Sequence, residues 1–176
     1  MHAFTSYEGE VVTVGGVIKS MWKLTTNRRF MYLIPQFFWT GISIAFYSGI
    51  LVVMMQEAIG GEDVQYQFKM SMLALALFGV GEIIGCFYIG MIVDKFGSKV
   101  ATISNLINIT AMIGVTMAFL IEFQFNYLVW IMCFLWGICD SSINTNTQEI
   151  IGFEFDNNSE PFSVFNTVQC IGNFTF

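Results

Sequence analysis

Apolar residues fill five long stretches of this chain, separated by short polar segments, over about residues 31–55, 68–93, 99–122, 127–152 and 161–176. The first four are each long enough, as α-helices, to cross a hydrocarbon core about 30 Å thick. The pattern predicts an all-α, polytopic transmembrane helix bundle. The fifth run reaches only about 24 Å, so it is expected either to continue in a longer parent protein or to sit where the bilayer thins. Residues 1–29 are expected to form a cytoplasmic lead-in and residues 30–176 the five-span bundle.

Within the lead-in, Val14, Val17, Ile18, Met21, Trp22 and Leu24 alternate with Lys19 and Lys23 between about residues 13 and 27. That spacing fits a short helix lying on the membrane surface, with Trp22 and its basic neighbours at the interface. A flexible lead-in is the alternative. Pro35 and Pro161 sit where helices begin, since a missing N–H costs little in a first turn, and Ser159 is a candidate cap for the last helix.

Composition supports membrane residence: 55% of residues are hydrophobic and 11% charged, with a mean hydropathy of +0.65, against roughly one-quarter charged residues in a soluble domain. The lipid bilayer is therefore the first expected partner, although no feature selects a particular membrane. The net charge is -6, but most acids, including Glu8, Glu10, Glu57, Glu62, Asp63, Glu154, Asp156 and Glu160, lie outside the apolar runs. They read as solvated loop charges, and no nucleic-acid partner is expected. Cys86, Cys133, Cys139 and Cys170 fall inside apolar runs without C-x-x-C spacing, which predicts buried free thiols, with neither a disulfide framework nor a metal site. The first ten residues lack the basic segment and apolar core of a cleavable signal peptide, but an internal span can itself direct insertion.

Lys19, Lys23, Arg28 and Arg29 precede the first span, and Lys95 and Lys99 occupy the turn between the second and third. The segment between the first and second spans holds Glu57, Glu62 and Asp63. Counting Lys and Arg places the amino terminus and the turn near residue 97 in the cytoplasm. Lys69 is an exception at a span end, where its side chain can extend toward the headgroups. The segment from Phe153 to Glu160 then faces the cytoplasm although it holds only acids. Its sequon, Asn157-Asn158-Ser159, is expected to stay bare, and glycosylation there would reverse the orientation.

Polar side chains inside spans carry the functional expectations, because an acid at mid-span costs about 2.5–3.5 kcal/mol on insertion scales and needs a partner or a wet cavity. Glu82 stands between Gly81 and Gly85, whose G-x-x-x-G spacing lets another helix approach closely. It is read either as a proton or cation site or as a neutral carboxylic acid bonded to a neighbouring helix. The second half of the fourth span is markedly polar: Ser141, Asn144, Thr145 and Gln148 follow a helical stripe, and Asp140, Asn144 and Thr147 form an overlapping one. An acid with Asn and Gln favours a water-filled cavity, the alternative being an inter-helix polar network. Glu82, Asp140, Asn144 and Gln148 are the candidate cavity or solute site. Asn105 and Asn108 fit helix–helix hydrogen bonds, and Phe37, Phe38, Trp39, Phe46 and Tyr47 could line a solute path, although such side chains more often face lipid or neighbouring helices. No catalytic, cofactor-binding or metal-ligating set is expected, since His2 is the only histidine and lies at the terminus.

The turn between the second and third spans contains Gly90, Asp94, Gly97 and Lys99 in a G-x-x-x-D-x-x-G-x-K pattern. It resembles the cytoplasmic signature of the major facilitator superfamily. The resemblance implies that Gly90, Asp94, Gly97 and Lys99 form a conformational latch, with Asp94 facing the amino end of the helix begun by Pro161. A longer resemblance covers Leu33–Gly41, Ala45–Gly49 and Gly137–Thr145, with Phe165 and Gln169 downstream. These segments look like the carboxy-terminal half of the uncoordinated-ninety-three-like branch, which comprises ion-channel regulatory and trafficking proteins. It implies a partial six-helix half of the facilitator fold, helices seven to eleven of twelve. The expected partner is then another membrane protein or an amino-terminal half that this chain lacks.

The expectation is a non-enzymatic, multi-pass integral membrane protein that regulates or escorts another membrane protein such as an ion channel. One alternative is a secondary transporter in which Asp140 and Glu82 handle protons or bind a cationic or polar solute, oriented by Asn144 and Gln148. The other is a structural subunit of a larger membrane complex.

Overall fold

The computed structural model describes residues 14–61, 63–155 and 159–176. His2, Glu8, Glu10, Glu62, Asp156 and the two asparagines of the sequon lie outside the described residues, as does the Ser159 side chain expected to cap the last helix. Helix α1 runs Val14–Thr25 and α2 Arg28–Met31, followed by α3 Ile34–Ala45, a π-helical turn Phe46–Ile50, and α4 Leu51–Ile59. Beyond them come α5 Val64–Phe96, α6 Ser98–Glu122, α7 Tyr127–Glu154 and α8 Ser159–Thr175.

Local chemistry explains the boundaries. Asn27 caps α2 by accepting the Arg29 N–H at 3.1 Å, and Asn126 caps α7 by accepting the Leu128 N–H at 2.8 Å. Pro35 lies in the first turn of α3. Its ring excludes the carbonyl of the residue four earlier, so the chain breaks at Tyr32–Leu33 and restarts. Gly97 separates α5 from α6 with φ +81° and ψ 167°, a region essentially reserved for glycine, and its N–H closes α5 on the Val93 carbonyl at 2.9 Å.

Four stretches are long and apolar enough to cross a membrane: Arg28–Ile59, Val64–Phe96, Ser98–Glu122 and Tyr127–Phe153. The expected run 31–55 thus falls on a composite of α2, α3, the π turn and α4. Helix α8, expected as a fifth span, has 17 residues and falls just short of that measure by its length. Because the long helices alternate in direction, the Gly97 turn and the segment after Glu154 emerge at the same end of the bundle.

Two glycine-lined crossings hold the helices together. Helix α5 packs along α7, where a Cβ on Gly137 would run into the Phe78 carbonyl and one on Gly85 would stand 2.6 Å from the Ile138 carbonyl. The G-x-x-x-G face thus meets a third glycine across the interface, and the backbones approach as close as small residues permit. Helices α3 and α8 cross in the same manner at Gly41 and Gly172. Around these crossings lie two apolar cores, one built on Phe78, Met112, Phe119, Met132 and Trp136, the other on Phe30, Phe37, Ile151, Val164 and Phe165. Helix α6 packs on α7, and α1 lies against α8 with Lys19, Trp22 and Lys23 exposed.

Candidate functional site

The polar half of α7 divides by side. Ser142, Asn146 and Thr147 are buried against neighbouring helices: the Gln36 amide of α3 donates to Thr147 Oγ1 at 2.6 Å, Asn146 donates to Thr102 Oγ1 of α6 at 3.3 Å, and Asn105 of α6 donates to the Ser142 carbonyl at 3.4 Å. Ser141, Asn144, Thr145 and Gln148 instead face an open groove of about 710 Å³ between α5 and α7. A helix turns 100° per residue, so the two sets lie on opposite sides of one cylinder. Cavity lining and inter-helix bonding, weighed as alternatives from sequence, occupy different faces of the same helix.

All four candidate solute-site residues, Glu82, Asp140, Asn144 and Gln148, line this groove. Asp140 is 7% exposed. Its carboxylate accepts from Asn144 Nδ2 at 3.2 Å and from Ser43 Oγ of α3 at 3.4 Å, and the same Asn144 amide also donates to the Asp140 carbonyl at 2.9 Å. Asn144 is thereby fixed by its own helix, while Glu82 is half-buried and Gln148 exposed. The two carboxyls lie within electrostatic range of one another. Among the described lining residues there is no base.

The sequence did not mark Cys86 or Ser43 for this site, and it offered Tyr47 only among the span-one aromatics. Cys86 lines the groove one turn beyond Glu82, with its thiol 3.2 Å from Thr145 Oγ1. The i, i+4 spacing from Glu82 was the available signal. Tyr47 projects from the π turn, its ring 4.6 Å from that of Phe78 and its phenol within electrostatic range of both carboxyls. π turns inside α-helices often accompany functional sites, but nothing in the spacing of Phe46–Ile50 marks one. Ser43 reaches Asp140 only through the packing of α3 on α7. The cysteine expectation also needs correction: Cys133 and Cys139 are buried, whereas Cys86 and Cys170 are exposed, because each faces outward from its own helix. All four are free.

The Gly90, Asp94, Gly97, Lys99 turn forms the α5–α6 corner, with Asp94 and Lys99 exposed. The acid that shares its surroundings with Asp94 is Glu149 of α7, another residue the sequence reading did not single out. Helix α8, whose start was expected to face Asp94, packs on α3, α1 and, lightly, α7.

Among the described residues no group of His, Cys, Asp and Glu could hold a metal ion. The family profile described as Major Facilitator Superfamily matches residues 5–176, nearly the whole chain. The chain belongs to the major facilitator superfamily. No curated protein and no solved structure matches it. In this facilitator-family protein the helical bundle is therefore a partial facilitator fold in an integral membrane protein, with an acidic groove on one side of α7 and helix–helix bonds on the other.

Proposed function

We infer that this protein is the solute-binding part of a secondary carrier, a non-enzymatic role in which the groove between α5 and α7 takes a cationic or polar solute. One observation carries the reading: Glu82 and Asp140 share a groove with Asn144 and Gln148, and none of the described lining residues offers a positive charge. Membrane interiors hold acids where a cavity is wet or an ion is bound, and facilitator sites lie between helices near the middle of the bilayer. Asp140, oriented by Asn144 and Ser43, supplies the fixed charge. Glu82 supplies a second charge on the facing helix. The chain crosses the bilayer several times, with the amino terminus and the Gly97 turn in the cytoplasm, and Asp94 acts as a latch at that face.

The test is uptake of radiolabelled organic cations, with a sugar as neutral control, into proteoliposomes. Cation uptake that falls at least about tenfold in Asp140→Asn, as expected for a charge-assisted contact, supports the reading. Uptake unchanged in Asp140→Asn and Glu82→Gln together contradicts it.

A second reading, a regulatory or trafficking partner of another membrane protein such as an ion channel, rests on the resemblance of Leu33–Gly41 and Gly137–Thr145 to regulatory relatives. Those segments also contain Gly41 and Gly137 of the two helix crossings, so packing alone accounts for part of the likeness. Copurification with a channel in fixed stoichiometry, with no uptake of any tested solute, would favour it. The structural-subunit reading keeps the open groove face of α7 as its support, while Ser142, Asn146 and Thr147 each bond within the chain.

A further inference from the structure

Lys19, Lys23, Arg28 and Arg29 are more than half of the 7 bases in the chain, and no acid falls between residues 11 and 56. The net charge of the whole chain is -6, so this is a basic surface on an acidic protein. All four bases are exposed. Arg28 Nε donates to the Tyr32 hydroxyl at 3.4 Å, and among the described residues none of the four meets a carboxylate. Lys19 and Lys23 also stand one helical turn apart, where like charges repel unless an anion lies between them.

The chain's own side chains seat this surface. Two residues, Thr26 and Asn27, join α1 to α2. Met21 and Leu24 of α1 and Phe30 of α2 pack into the core that holds Phe37 and Val164. Phe30 is 0% exposed, with its ring edge-on to those of Phe37 and Phe155 at 5.5 Å and 5.3 Å. Both helices are thus anchored at the end of the bundle where α7 finishes and α8 begins. At 100° per residue, Lys19 and Lys23 project nearly opposite to Met21 and Leu24. Ile18 and Trp22 form a third edge beside the lysines, and Trp22 is 77% exposed. One edge is therefore packed, one is apolar and open, and one is basic.

We propose that the α1–α2 surface binds anionic phospholipid of the adjoining leaflet, with headgroup phosphate and carboxylate oxygens accepting from Lys19, Lys23, Arg28 and Arg29, and the upper acyl chains against Ile18 and Trp22. Charge complementarity selects an anion, and the apolar edge alongside selects one that carries a hydrocarbon body. Tryptophan beside bases is the pairing that suits the boundary between headgroups and acyl chains. Each base close to an anionic leaflet favours it by roughly fivefold. Lys95 and Lys99 lie at the same end of the bundle, but Asp94 stands among them and offsets their charge. The site is independent of the acidic groove and of the carrier reading.

The experiment uses the purified full chain in phosphatidylcholine nanodiscs that hold a trace of one photoactivatable lipid, either a diazirine phosphatidylserine or the matching diazirine phosphatidylcholine. Phosphatidylserine should label the segment around Ile18 and Trp22 at least about threefold more strongly. Raising salt from about 0.1 M to about 1 M should bring the two lipids close to parity, because the Debye length shortens from about 10 Å to about 3 Å. The preference should vanish when Lys19, Lys23, Arg28 and Arg29 are all changed to Gln. Lys19→Arg with Lys23→Arg, which keeps the charge, should retain it. So should Lys69→Gln with Lys95→Gln, which removes two bases elsewhere. Equal labelling by the two lipids overturns the proposal, as does a preference that survives in the four-Gln variant. In native membranes, a carboxylate-to-lysine cross-link from Lys19 or Lys23 to another protein also overturns it, because the occupant is then an acidic protein surface.

Discussion

Alanine at Gly137 would bring a methyl group against the Phe78 carbonyl, backbone against backbone, with no flexible side chain to give way. Overpacking of that kind costs about 1–3 kcal/mol. Gly137→Ala should therefore lower the thermal unfolding midpoint in detergent clearly. Gly114→Ala, where a Cβ meets nothing within 4 Å, should leave it unchanged or raise it, since alanine is the better helix former by up to about 1 kcal/mol. Equal shifts for the two would mean that α5 and α7 do not cross at these glycines. The spacing of Gly81 and Gly85 made half of this contact legible in the sequence. The other half, Gly137, sits alone in an apolar run, and only the packing of α5 on α7 shows what it meets.

At the scale of the element, α7 presents two polar faces, one bonded to neighbouring helices and one open on the groove, and one pair of substitutions separates them. Gln36→Met removes the donor to Thr147 and leaves a buried hydroxyl unpaired, which should cost about 1 kcal/mol of stability while uptake per folded molecule is retained. Gln148→Met, on the exposed groove face, should leave thermal stability unchanged and weaken cation uptake. Measuring unfolding midpoint and proteoliposome uptake for both variants checks the division. If Gln148→Met unfolds the protein as readily as Gln36→Met, the groove face is structural. The sequence showed that this half-helix is polar and which residues share a stripe, because 3.6-residue periodicity fixes that much. It could not show that Ser142, Asn146 and Thr147 have partners, since those partners, Asn105, Thr102 and Gln36, lie on other helices and meet α7 only through tertiary packing. The π turn that presents Tyr47 was hidden for a similar reason: one wide turn leaves the hydrophobic pattern of Phe46–Ile50 unaltered.

Across the whole molecule, the long apolar runs and the glycine-bearing turn near residue 97 were readable because bilayer thickness and backbone sterics constrain them directly. The status of α8 was less so, since its 17 residues place it at the margin of what can span. The central claim is that an acidic, water-filled groove lies between α5 and α7, and Cys86 provides a native reporter within it. In a Cys170→Ser background the other two thiols, Cys133 and Cys139, are buried. The most direct measurement is then the rate at which Cys86 reacts with a cationic methanethiosulfonate reagent and with an anionic one of similar size. The field of Glu82 and Asp140 should make the cationic reagent faster by at least about threefold, and Glu82→Gln with Asp140→Asn should abolish the difference. Equal rates in the unaltered groove, or a Cys86 that reacts with neither reagent, would contradict the account.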